Sequence, residues 1–566
     1  MKFKELAKYL HKLESTASRN EMTKILADLF KQTTATEIDK VIYLLLGGVA
    51  PRYKEVVFNM ADKMMVRAIA QAFDKDTSTV MAIYKAKGDI GDVAYELSKS
   101  ISDGLSVTEV FGYLKEVTVS EGAGSQEQKV KEMAEILSRL DKLSAKYVAR
   151  IPVGKLRLGF SDKTMLDALS WMEVGDKSAK GQLEYVYQVL PDIGLLAKEV
   201  KDKGIKEATV HAKPVVGVPV SPMLAQRLKD PREMIKKMER VGVEPKLDGL
   251  RISIHFKRGK FVKAFTRNMN EVSWMFPELH EIDPFISATD VILDSEAVGV
   301  DETRKSLANF QSTMTRRRKH EVAEYAGKIP IKFYVFDILL KDGNNLMKED
   351  YLTRKNALDD TVKKGKFMEL VDYVVTDSPE DINTANLDKR RAGFEGIMIK
   401  KVDSAYIPGR TGWRWVKMKE GVGSSAKLAD TVDCVIMGYT QGRGKRASFG
   451  MGQFLAGVRS GENIVTVTKV GTGLTDEQFR ELSKRLKGLV VTDKPEMYEV
   501  QKDYIPDFWV EPSVIVELAG DDITKSPKHT GGFAIRFPRL VAFRDDRSVS
   551  DTSTIEEVQD LYMLQS

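Results

Sequence analysis

Apolar residues recur at helical spacing through the first ~200 positions of the chain. Leu6, Tyr9, Leu10 and Leu13 form one such stripe, and after the polar stretch 15–20 it resumes with Met22, Ile25, Leu26 and Leu29. Val41, Leu44 and Leu45 follow Asp39-Lys40 and run out at Gly47-Gly48 and Pro51. Further helices are predicted over 130–143 and 162–172, and strand-like alternation is scarce, so 1–210 reads as an all-helical domain. Over 211–223 the pattern changes: Pro214, Pro219 and Pro222 stand among valines, which predicts a stiff extended connector because proline fixes φ and removes a backbone donor. Alternation at period two then dominates, with predicted strands at 244–248, 251–256, 291–300 and 332–339 and a helix at 306–316, giving an α+β or α/β domain over 211–420. After Gly421-Val422-Gly423-Ser424-Ser425, five strands (431–439, 453–458, 464–470, 513–518 and 533–543) and one helix (475–486) predict a small β-barrel of the OB type over 421–566.

Composition adds little to this picture. The chain of 566 residues is 42% hydrophobic and 30% charged, as a multidomain globular protein would be. A formal net charge of +6 permits a polyanionic partner without demanding one. The single cysteine, Cys434, excludes an internal disulfide and any cysteine-based metal cluster. The start, Met1-Lys2-Phe3-Lys4-Glu5, lacks a signal-peptide core, and no stretch reaches the ~18 uncharged apolar residues of a membrane span. A cytoplasmic protein without a membrane partner, acting as a monomer, is the expectation.

The candidate chemistry is concentrated in the middle domain. In Glu244-Pro245-Lys246-Leu247-Asp248-Gly249-Leu250-Arg251, an extended backbone sends Glu244, Lys246 and Asp248 to one side, and Gly249 permits a tight turn beside a ligand. A lysine in such a place serves as a nucleophile once it has lost its proton. In Leu293-Asp294-Ser295-Glu296-Ala297-Val298-Gly299, two acids share one face of a half-buried strand and call for a cation such as phosphate-bound Mg²⁺. Phe333-Tyr334-Val335-Phe336-Asp337-Ile338-Leu339 reads as an apolar strand, and Glu395 stands at the mouth of another, Gly396-Ile397-Met398-Ile399-Lys400. Trp415-Val416-Lys417-Met418-Lys419 alternates strictly, so Lys417 and Lys419 project together and repel unless an anion lies between them.

These five strings, in this order, resemble the nucleotidyltransferase motifs shared by DNA ligases, RNA ligases and mRNA capping enzymes. The resemblance implies an ATP-grasp-like ligase domain in which Lys246 carries covalent AMP, Glu244 and Phe336 contact adenine, and Arg251 and Glu296 neighbour the ribose and phosphate. It further implies Arg267 and Arg410 as ATP-binding residues, Glu296 and Glu395 as metal carboxylates for Mg²⁺, and Lys417 and Lys419 as phosphate lysines. Outside this domain, Ala149-Arg150-Ile151-Pro152-Val153-Gly154-Lys155-Leu156-Arg157-Leu158-Gly159 resembles the DNA-gripping segment of archaeal and eukaryotic ATP-dependent DNA ligases, with Arg150, Lys155 and Arg157 as the DNA-binding cations. Val220-Ser221-Pro222-Met223-Leu224-Ala225, Lys525-Ser526-Pro527-Lys528 and Arg536-Phe537-Pro538-Arg539 resemble further segments of those ligases, so the likeness to the archaeal replicative type spans the whole chain.

The chain departs from that pattern in places. The family's last signature usually reads Arg-x-Arg-x-Asp-Lys, whereas here Ala542-Phe543-Arg544-Asp545-Asp546-Arg547 leaves Arg544 and Arg547 as the implied pyrophosphate-orienting pair. The usual sliding-clamp motif is not evident in the stretch 98–105, so a clamp stays open as a partner. The expected partners are ATP and nicked double-stranded DNA. NAD-dependent ligases carry a four-cysteine zinc module, which one cysteine cannot build. The rival readings are an RNA ligase or GTP-using capping enzyme, neither expected to carry a helical DNA-gripping domain, and a catalytically silent DNA clamp, which the intact lysines oppose.

Overall fold

The computed structural model describes residues 1–16, 18–99, 104–122, 124–156, 158, 160–228, 230–300, 330–409, 412–419, 431–442 and 444–563. The predicted helix at 306–316, the Gly421–Ser425 stretch, Arg157, Arg410 and four residues of the 98–105 segment lie outside them. The chain divides into two compact units, Met1–Met418 and Lys419–Ser566. No helix among the described residues is long and apolar enough to cross a membrane.

The first unit begins with twelve described helices, from Phe3–Glu14 to Ile193–Val210. Their apolar stripes meet in one core that includes Leu6, Leu10, Leu26, Phe30, Val41, Leu44 and Leu169. The predicted helix over 130–143 is two helices, Ser125–Ser138 and Lys142–Arg150. The break has a local cause: the Asp141 carboxylate accepts the backbone N–H groups of Leu143 and Ser144 and so starts a new helix.

Two antiparallel-rich sheets follow. In the first, the strands run in the order Gln226–Arg227, Trp415–Lys419, Gly396–Lys401, Val241–Lys246, Val374–Thr376. In the second the order is Phe261–Thr266, Leu250–Lys257, Asp290–Gly299, Ile331–Lys341, Asn344–Asn345. The predicted strand 244–248 stops at Lys246, so Asp248 lies in the turn that carries the chain from one sheet to the other. Pro245 is tolerated because pairing with Val374–Thr376 covers only Val241 to Val243. On Asp290–Gly299, Leu293 and Ala297 enter the core as expected, and the Ser295 hydroxyl donates to the Ile252 carbonyl. The opposite face is covered too: Asp294 is buried, so the strand is not the half-buried one its alternation predicts.

The connector is held rather than loose. The backbone N–H of Gly217 donates to Nδ1 of the fully buried His255 at 3.1 Å, and the other ring nitrogen lies 3.1 Å from the Ser253 hydroxyl. Burial first, and then Lys263, lower the His255 pKa to about 3, far below the unfolded value near ~6.5. The neutral ring therefore contributes stability that is complete above ~6.5 and lost as pH falls toward the folded value. Thermal unfolding is expected to drop more steeply between pH 6.5 and 4 in the parent than in a His255→Gln variant, which keeps an acceptor for Gly217; parallel pH profiles would refute this.

In the second unit, five longer strands pair antiparallel in the order Arg539–Phe543, Ile515–Ala519, Val432–Thr440, Gln453–Ser460, Asn463–Val470. The helix Asp476–Leu486 buries Phe479, Leu482 and Leu486. Two expectations need correction. Among the described residues the strand pairings do not close into a barrel. The predicted strand over 533–543 is two strands, Phe533–Arg536 and Arg539–Phe543, which pair with different partners. Phe537, with φ of 50°, and Pro538, which has no N–H to give a ladder, separate them.

Candidate active site

Lys246 ends its strand directly opposite Gly396, and the residue before Gly396 is Glu395. That register brings the Glu395 carboxylate onto the Lys246 ammonium as an ion pair, while the Glu395 backbone N–H donates to the Lys246 carbonyl at 3.1 Å. The turn that follows is shaped by close approach. A Cβ at Gly249 would lie 2.5 Å from the Ala297 carbonyl oxygen and 2.8 Å from a Val298 methyl. Leu247 anchors the turn by packing on Val298 and Val371. The nucleophile candidate thus sits where the two sheets meet.

Glu296 faces Arg251 across the second sheet. Burial raises its carboxyl to about 7, a shift that Lys246 and Arg251 oppose and Asp294 reinforces. Arg251 grips Asp294 with two bonds of 3.0 and 2.6 Å and donates to the Met223 carbonyl at 2.7 Å. Its guanidinium lies 5.5 Å from the ring centres of both Phe336 and Trp415. The Tyr406 hydroxyl closes this knot, donating to Asp294 at 2.9 Å and accepting from the Met223 N–H at 3.0 Å. Val189 and the partly buried Tyr185 and Leu190, from the helical region, pack in the same cluster as Met223, Tyr406 and Trp415.

Glu244 is only 2% exposed. Its Oε1 accepts from the Tyr351 hydroxyl at 2.8 Å and lies 3.2 Å from the Lys355 ammonium, while Oε2 lies 2.7 Å from the Lys400 ammonium. Lys400 in turn sits 4.4 Å from the Trp415 ring centre and 4.7 Å from that of Phe336. Behind this layer, Asp337 and Arg354 form a buried two-bond pair at 2.8 and 3.1 Å. Burial alone would push the Asp337 carboxyl up, but Arg354, with help from Lys400 and Lys355, holds it below its ordinary value.

Of the expected site residues, Lys246, Glu244, Arg251, Glu296, Phe336 and Glu395 thus converge around one junction. Arg267 lies exposed on the turn after Phe261–Thr266, lining a small cavity with Arg251, Asp294 and Tyr406. Lys417 lies half-buried on the edge-proximal strand in register with Arg227, and Lys419 ends that strand. Trp415, two residues before Lys417, joins the aromatic wall, and its indole N–H is buried without an acceptor among the described residues. Tyr351, Arg354, Lys355, Lys400 and Tyr406 were not foreseen as part of this site.

Two groups of expected residues are placed differently from the rest. Arg150 is 2% exposed and pairs with Glu14, Asp89 and Asp92 at 2.8, 2.9 and 3.5 Å. Burial raises the Glu14 carboxyl, but hydrogen bonds from Tyr147, Arg150 and Lys146 win and hold it at about 2. The structure therefore gives Arg150 a job inside the helical core instead of on its surface. Lys155 is bonded to Asp62 at 2.6 Å and to the Tyr84 hydroxyl at 3.3 Å. In the second unit, Arg544 and Arg547 converge on Asp433 at 3.4 and 2.5 Å, and Arg544 also holds Asp546 at 2.8 Å.

A divalent ion bound by hard oxygen donors suits this donor set. Glu296 and Glu395 both lie beside Lys246, and no cluster of three or more His, Cys, Asp or Glu side chains is found among the described residues. Two carboxylates are what Mg²⁺ uses when substrate phosphates and water complete its shell.

Three family models match the chain: DNA ligase N terminus over residues 2–170, ATP dependent DNA ligase domain over 222–419, and ATP dependent DNA ligase C terminal region over 447–547. A probable DNA ligase of Dictyoglomus thermophilum is 37% identical over 573 residues, covering 99% of this chain and 97% of its own. DNA ligase 1 of Methanosarcina mazei is 34% identical over 581 residues, covering 99% of each. The solved structure named Pmar-Lig_Pre shares the fold with a TM-score of 0.56 at 18% identity, over 95% of this chain and 99% of its own.

Proposed function

The chain belongs to the ATP-dependent DNA ligase family, and from that premise we propose that Lys246 is the residue that carries AMP between ATP and the nick. The family's activity is the sealing of nicked DNA through an enzyme-adenylate, at the expense of ATP. The observation that carries the assignment is the meeting of Lys246, Glu395 and Glu296 at the junction of two sheets, beside the Arg251–Phe336–Trp415 wall.

In the reaction, Lys246 first loses its ammonium proton to solvent, its free amine attacks the α-phosphorus of ATP, a P–N bond forms, and pyrophosphate leaves with the electrons of the broken P–O bond. The AMP then passes to the 5′-phosphate of the nick, freeing the lysine, and the 3′-hydroxyl displaces AMP to form the phosphodiester. Phosphoryl transfer of this kind asks the protein mainly for in-line placement and charge neutralisation. Phe336 offers a face for the adenine and Glu244 an acceptor for its exocyclic amine. Arg251 braces Asp294 and Met223 beside the ribose, and Arg267, Arg410, Lys417 and Lys419 meet the phosphates. Glu296 and Glu395 would hold Mg²⁺, which when bound neutralises charge on the phosphates. Glu395 meanwhile pairs with Lys246 and holds its ammonium at the mouth of the strand.

The three-part division, with 1–210 gripping DNA, 211–420 carrying the chemistry and 421–566 as an OB-type domain, belongs to the same proposal. The order of the five long strands in the second unit, with Val432–Thr440 flanked by Gln453–Ser460 and Ile515–Ala519, supports the OB-type reading of a partly open barrel. The proposal is tested by incubating the protein with α-labelled ATP and Mg²⁺ and mapping the acid-labile label. A single labelled peptide containing Lys246 is expected; label on another lysine, or none, would overturn the assignment.

A further inference from the structure

We propose that Tyr351 is a positioning residue that fixes the Glu244 carboxylate and thereby makes the site choose adenine over guanine. The proposal rests on the reading of Glu244 as the base contact. Tyr351 lies in the helix Tyr351–Asp359, is wholly buried, and has its hydroxyl 2.8 Å from Glu244 Oε1. The strand is built to admit it: a Cβ at Gly242 would stand 2.4 Å from a Tyr351 ring carbon and 2.8 Å from its hydroxyl oxygen. The ring also packs edge-on against Tyr373, with centres 5.7 Å apart. Tyr351 is therefore packed against both Gly242 and Tyr373, with its one polar atom aimed at one carboxylate oxygen.

That single bond matters because a carboxylate alone is a poor discriminator between purines. Its two oxygens offer about four acceptor positions and no donor. Adenine presents an exocyclic N–H donor to it, but guanine presents donors of its own at N1 and its exocyclic amine. A carboxylate free to turn about its last torsion can meet either base. In this structure Oε1 is already occupied by Tyr351 and Lys355, and Oε2 by Lys400, which leaves one direction open. A fixed direction can match the adenine edge and leave guanine's carbonyl oxygen facing an acceptor, an arrangement that a site built around hydrogen bonds rejects strongly. The lysines supply charge from flexible stems. The phenol, immobile in its slot, supplies the angle.

The test measures kcat/KM for labelling of Lys246 with α-labelled ATP and with α-labelled GTP, using the full chain. The ATP-to-GTP ratio from one preparation does not depend on the fraction folded. Tyr351→Phe removes only the hydroxyl and is expected to lower that ratio about tenfold, the size expected for one hydrogen bond to a charged group, chiefly by letting GTP react. Glu244→Gln should lower it as well. An unchanged ratio in Tyr351→Phe with a lowered ratio in Glu244→Gln overturns the role of Tyr351 and leaves the base contact standing. No change in either variant overturns both. Should Tyr351→Phe fail to accumulate, Gly242→Ala carries the same test, because it keeps the hydroxyl but pushes the ring off Glu244; a parental ratio there overturns the proposal.

Discussion

Replacement of Lys246 by alanine is expected to abolish both self-adenylation and nick sealing, by on the order of 10⁴-fold or more, as loss of a covalent nucleophile does elsewhere. Lys246→Arg should be equally inactive although it keeps the positive charge and can still pair with Glu395. A guanidinium is not deprotonated in proteins, so it offers no lone pair to the α-phosphorus. The comparison separates two roles. If Lys246 served only as a cation that steers the triphosphate, arginine would restore much of the activity. Sealing of DNA that already carries 5′-AMP needs no lysyl-AMP and should survive better in both variants, since the groups around Lys246 remain. The measurement is label incorporation from α-labelled ATP beside ligation of pre-adenylated nicked duplex. Retained labelling in either variant would remove Lys246 from the mechanism.

The parts of this site that were legible in the sequence are local strings. Lys246 and Glu296 each stand on a strand whose period fixes the face they take, Glu395 stands at the mouth of a third strand, and the order of those strings identified the family. The parts that were not legible depend on partners far apart along the chain. Tyr406 reaches Asp294 across 112 positions and Tyr351 reaches Glu244 across 107. Neither residue belongs to a motif of its own. One signal was available: Asp337 interrupts an otherwise apolar strand, and a buried carboxylate requires a cation, which the structure supplies as Arg354.

Misplaced expectations have equally physical causes. Arg150 belongs to a basic, glycine-bearing string and so reads as surface, yet the helix Lys142–Arg150 runs to its very position and turns it toward three acids. Their positions, Glu14, Asp89 and Asp92, are not marked by any nearby pattern. In the second unit, Pro538 was visible as a breaker inside an apparent strand of 533–543, but the pattern on either side of it suppressed that reading. The helical region, by contrast, follows its apolar stripes closely, because period alone decides which face of a helix is buried.

A second large effect is expected from dividing the reaction between distant parts of the chain. Arg544→Ala combined with Arg547→Ala should lower lysyl-AMP formation by about 10²-fold, the scale for removing groups that neutralise developing charge. Sealing of pre-adenylated nicked DNA should fall far less, because pyrophosphate takes no part in it. In the structure both arginines hold Asp433, so the double variant also leaves that carboxylate without its cations. A purely structural loss would depress both reactions together, and the contrast between them tells the two causes apart. Deleting residues 1–210 should act in the opposite sense. The deletion removes Tyr185, Val189 and Leu190 from the cluster around Met223, Tyr406 and Trp415, and the Gln188 carbonyl from the Ser221 N–H, so adenylation should continue at a reduced rate. Nick binding, however, should collapse, along with most of its dependence on salt, since that dependence counts the phosphates neutralised. A deleted protein that still seals nicks at the parental salt optimum would show that the helical region is not the main grip on DNA. A double arginine variant that adenylates normally would mean that other cations of the same unit, with Arg536 and Arg539 the nearest in sequence, orient the leaving group.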